Sequence, residues 1–136
     1  MIGKRGKWIL LITAGALLVA AFLWNAHLSA TSEGARLCRT VNEFGYALHP
    51  DDLYPAGVWN DTSIRALLPE TELAEAVAAS KSAGFPSDID RAGQVTLVMA
   101  NVGDDDVVTL YLVEGEIELG FVQVTGTGAV RALGAR

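Results

Sequence analysis

The chain holds one cysteine and two histidines among its 136 residues, too little for most metal or thiol chemistry. A single thiol cannot close an internal disulfide, so the fold rests on a hydrophobic core or on a partner. Structural zinc wants four ligands, usually with paired Cys or His, and His27, Cys38 and His49 show no such spacing. Cys38 is expected to be a buried small hydrophobe, since neither histidine is in register to act as its base. No Gly-x-Ser-x-Gly or Ser-x-x-Lys setting surrounds any serine, which leaves a serine hydrolase without support. Gly126-Thr-Gly128 is too short for a phosphate loop and has no helix after it. Neither a cofactor nor a metal is expected.

Cations are also scarce beyond the N-terminus. From Thr31 onward seven basic side chains face sixteen acidic ones, a net of −9. Such a surface repels phosphate backbones and anionic lipid, so nucleic acid is excluded as a partner.

What the chain does have is a long apolar run. The seventeen residues from Trp8 to Trp24 carry no charge and follow Lys4, Arg5 and Lys7. As a helix they would span about 25 Å, near the thickness of a bilayer's hydrocarbon core, with a tryptophan at each interface. Residues 8–28 are therefore read as a transmembrane signal-anchor in contact with the lipid bilayer. Residues 1–7 form its basic cytoplasmic end, because the three cations precede the span and none follows it before Arg36. The alternative is a signal peptide cleaved near Ala30 to release a secreted protein. Cleavage there would put Leu28 where a small residue belongs, and the run exceeds the usual signal length.

After a short linker at residues 29–33, residues 34–125 are expected to form one extracytoplasmic domain, with 126–136 as a flexible Gly-rich tail. Leu37, Val41, Phe44 and Leu48 follow helical spacing, with Ser32 as a cap and Gly45 as a stop. Two proline-bounded turns lead to short extended pieces at 56–60 and 62–64. Pro69 and the acidic residues Glu70, Glu72 and Glu75 open a second helix, whose inward stripe is read as Leu73 and Val77 with Ala74 and Ala78.

The segments 94–102, 107–113 and 116–125 are rich in β-branched and aromatic residues and read as a three-stranded meander. Glu114-Gly115 supplies a tight hairpin. The middle strand is apolar on both sides and should be central and buried on both faces, whereas Ile117, Leu119 and Phe121 alternate with Glu116, Glu118 and Gly120 as if one face were wet. The expected fold class is α+β, with the anchor followed by a two-layer domain whose two helices cover the dry face of an antiparallel sheet.

Two clusters invite functional readings. His49 with Asp51 and Asp52 mixes imidazole and carboxylate, so an atypical envelope hydrolase could use it, with Asp61 as a further carboxylate. A turn in which the Asp side chains bond local backbone is the simpler expectation. Asp104-Asp105-Asp106 lacks the spacing of a calcium loop and reads as a solvated turn. Tyr54, Trp59 and Phe85 lie in or beside loops and are candidate contacts for an envelope protein partner. With no catalytic constellation, the reading is a non-catalytic, single-pass module that binds protein or peptide beyond the membrane. Asn60-Asp-Thr62 is a glycosylation sequon with meaning only in a eukaryotic secretory lumen.

Overall fold

The first helix, α1, spans Ser32–Asn42, with Glu33 in its first turn and Arg39 in its last, each favoured there by the helix dipole. The computed structural model describes residues 32–134, so the Trp8 to Trp24 run and its basic flank lie outside the described residues. Within that range no helix is long and apolar enough to cross a membrane. Ser32 is the first helical residue rather than a cap before Gly34. The helix ends where Gly45 takes a φ of +99°, which side-chain-bearing residues rarely adopt. Asn42 then clips the following loop, its Nδ2 donating to Leu48 O at 3.0 Å and its Oδ1 accepting the Leu48 N–H at 2.8 Å.

Five strands follow in a simple antiparallel meander: β1 Tyr54–Thr62, β2 Gly93–Asn101, β3 Asp106–Val113, β4 Glu116–Val124 and β5 Val130–Ala132, in spatial order β1-β2-β3-β4-β5. The two extended pieces expected near residues 56–64 are one strand, β1, followed by a 3₁₀ turn at Ile64–Ala66. The second helix, α2, spans Glu70–Ser82. Leu73 is buried and Val77 packs against the same cluster, as expected, with Ala76 and Ser80 completing the inward stripe, while Ala74 and Ala78 are exposed. Between β3 and β4 both turn residues have positive φ, Glu114 at 50° and Gly115 at 80°, as a type I′ hairpin requires.

The α+β class holds, with two helices packed on the sheet, but they lie on opposite faces. Leu37, Cys38 and Val41 of α1 pack with Val98, Val108, Leu110 and Leu112. Leu73 and Ala76 of α2 pack with Val95, Tyr111, Val113, Leu119 and Phe121. Strand side chains alternate between faces, so these two sets belong to the two sides of one sheet, and the layers number three rather than two. The physical reason was present in β3, whose central position and two-sided apolar surface demand a cover on each face.

A β-bulge corrects the reading of β4. Tyr111 pairs with Leu119 but Leu112 pairs with Ile117, leaving Glu118 as an extra residue. Ile117 therefore joins the α1 side while Leu119 and Phe121 stay on the α2 side. The face expected to be wet is buried: Glu118 is only 4% exposed and Val122 1%.

Residues 126–136, read from composition as a flexible tail, include β5. Phe121, Val122 and Gln123 pair with Ala132, Arg131 and Val130, Leu133 is buried, and Arg131 meets Asp106 at 2.6 Å. The Gly134 N–H donates to the Tyr46 hydroxyl at 3.1 Å, tying this end to the loop after α1. The part of β4 that β5 does not reach is closed by other groups. Ser80 Oγ donates to Gly120 O at 3.3 Å and accepts the Gly120 N–H at 3.0 Å, and the Ser87 N–H donates to Glu118 O at 2.9 Å.

Candidate functional site

β1 is the outermost strand, and its edge is open. Apart from the ladder with β2, no hydrogen bond reaches the main chain of residues 54–62 among the described residues. Two irregularities interrupt its pairing, one between Pro55 and Gly57 and one between Trp59 and Thr62, where Asp61 takes a φ of 52°. Proline and bulges are typical of edge strands, which must avoid indiscriminate pairing.

The large hydrophobics exposed among the described residues all lie on this strand: Tyr54 at 38%, Val58 at 45% and Trp59 at 37%. Their faces follow from register. Tyr54 and Trp59 pair with Met99 and Val95 on the α2 side of the sheet, whereas Val58 pairs with Thr96 on the α1 side. The Trp59 indole folds back across Gly57, where a Cβ would collide with the ring. On the α2 side the helix packs over β4 and β5, leaving Leu97 and Met99 half-buried beside Tyr54 and Trp59. An open cleft of about 490 Å³ continues this strip, lined by Met99, Val107 and Gln123 and by the turn after β4.

Of the sequence-derived trio Tyr54, Trp59 and Phe85, the structure brings the first two onto one strand and separates the third. Phe85 is half-buried, stacks on Phe44 with ring centroids 5.9 Å apart, and fills the space above Gly120, where a Cβ would lie 2.7 Å from its ring. It packs against the core rather than forming a contact surface. Val58, which takes its place, carried no aromatic signal and is identified only by the pairing of β1.

His49 and its carboxylates form a structural turn. The His49 N–H donates to Asp52 Oδ2 at 2.9 Å across the 3₁₀ turn Pro50–Asp52, the local backbone bonding expected of an Asp-rich turn. His49 is exposed, its ring makes no hydrogen bond to the Asp51 or Asp52 carboxylate, and Asp61 stands at the far end of β1. Among the described residues no three His, Cys, Asp or Glu side chains are placed to share a metal ion. Cys38 is buried at 4% exposure, and burial, aided by the charge of Asp52, pushes its thiol pKa up and away from thiolate chemistry.

One buried carboxyl stands out. Burial pushes the Glu118 pKa up; the charge of Arg91 and a hydrogen bond from the Asp88 backbone oppose it, and the charges of Asp88 and Glu116 add to it. Arg91 itself reaches Glu116 at 3.4 Å. Glu118 owes its position to the bulge, so it is a cost of the local register rather than the centre of a cleft.

The described residues form an α+β domain in which a five-stranded antiparallel meander lies between two helices, with one sheet edge open and apolar. No family model matches the chain, and no curated protein or solved structure matches it.

Proposed function

We propose that this chain is a single-pass membrane protein, its N-terminus cytoplasmic, that holds a small acidic domain beyond the membrane to bind a protein partner without catalysis. The uncharged run from Trp8 to Trp24 behind Lys4, Arg5 and Lys7 supports the placement. The observation that carries the binding role is the gathering of Tyr54, Val58 and Trp59 on one outer strand. Aromatic side chains supply much of the energy of protein interfaces, and isolated exposed hydrophobics do not normally cluster in this way.

A photo-crosslinking residue at Val58 of the full chain in its native host tests the role directly. One identified protein should be captured from Val58 and not from the exposed Glu75 on α2, and Tyr54→Ser with Trp59→Ser should abolish the capture. Equal capture from both positions, or none, overturns the binding reading. A reporter fused at the C-terminus tests the placement, with activity in the cytoplasm overturning it.

A further inference from the structure

We infer that the open edge of β1 accepts an extended, cation-bearing peptide segment of the partner as a sixth strand. This rests on the binding role proposed above and specifies how the partner is held.

The geometry favours an added strand over a ligand lying on the sheet. Tyr54 and Trp59 are exposed on the α2 side of β1 and Val58 on the α1 side. A molecule resting on either face would leave part of this apolar surface in water. A strand laid along the edge passes all three, its alternate side chains meeting Tyr54 and Trp59 on one face and Val58 on the other. The same strand would satisfy outward N–H and C=O groups that have no partner among the described residues.

Charge identifies the chemistry of that segment. Asp51 and Asp52 precede β1, Asp61 lies near its end, and no Lys or Arg occurs from residue 40 to residue 64. The nearest cation on the far side, Arg65, is already paired with Asp90. Lysine or arginine side chains on the incoming strand would meet carboxylates at both ends. The same charges disfavour a second copy of this chain: antiparallel pairing of two β1 strands brings Asp51 and Asp52 toward Asp61 of the other copy, and parallel pairing opposes like to like.

The test uses the full chain in non-ionic detergent and a fluorescent ten-residue peptide of alternating valine and lysine, followed by anisotropy. Binding should be saturable, and a valine–glutamate peptide should not bind. Replacing Asp51, Asp52 and Asp61 with asparagine should weaken binding about tenfold and remove most of its salt dependence. N-methylation of alternate peptide amides should abolish binding in one phase of the alternation and spare it in the other, because only one edge of an added strand faces β1. Peptide binding that ignores both N-methylation patterns overturns strand addition, and equal binding of the glutamate peptide overturns the charge assignment; both leave the partner captured at Val58 intact. A dimer by sedimentation velocity that resists salt and is lost in Val58→Pro would overturn it in favour of self-pairing. Loss of the Val58 capture itself would remove the underlying binding role.

Discussion

Replacing Ser80 with alanine removes one oxygen atom but strands two backbone groups on another element. Ser80 is fully buried on α2, and its hydroxyl both donates to Gly120 O and accepts the Gly120 N–H, forty residues away on β4. The β5 ladder begins only at Phe121, so no strand stands ready to replace the hydroxyl. Leaving a buried donor and acceptor unsatisfied costs about 1–3 kcal/mol, with little lost in apolar packing. For a domain of this size a loss of about 2 kcal/mol lowers the urea midpoint by roughly 1 M at an unchanged slope. Exchange of the Gly120 amide should quicken by roughly thirtyfold in the same variant. Ser82→Ala, at an exposed position two residues on, should stay within about 0.5 kcal/mol of the parent. Equal midpoints for Ser80→Ala and Ser82→Ala, with Gly120 exchange unaltered, would refute this role of the Ser80 hydroxyl.

Two further outcomes follow from the buried groups. Because the folded-state pKa of Glu118 is raised, the native state holds its proton more tightly than the unfolded chain, so this residue's contribution is favourable in acid and is lost as pH rises above the ordinary glutamate range. Glu118→Gln should therefore be more stable than the parent at pH 7 and show a flatter stability profile from pH 4 to 7; a less stable variant at neutral pH would contradict this. Cys38 should resist alkylation by a small thiol reagent in the native chain and react fully in denaturant, and rapid native labelling would contradict its burial.

Most of the fold was written locally. The Glu114-Gly115 hairpin, the β-branched runs flanking it and the Pro69 helix start each depend on residues next to one another, and periodicity or turn chemistry exposes them. What escaped depended on partners distant in sequence. The bulge at Glu118 is invisible in the strand's own alternation, because it arises where Leu112 meets Ile117. β5 was hidden by glycines at 126, 128 and 134, and its pairing rests on Phe121 to Gln123. The opposite placement of the helices follows from the two-sided apolar surface of β3: burial on both faces needs two covers, which two helices on one face cannot supply. The candidate surface was half legible: Tyr54 and Trp59 announce themselves as aromatics among polar and proline residues, whereas Val58 matters only through its register with Thr96.

The sheet is also polar in how it can grow. Its far side offers only a short edge, with β5 three residues long and Ser80 and Ser87 bonded to the remaining stretch of β4. A strand added at β1 therefore finds no matching site at the opposite end of a neighbouring copy, and head-to-tail stacking has no second step. Assembly through this edge would terminate after one addition, giving a discrete complex rather than a growing fibre.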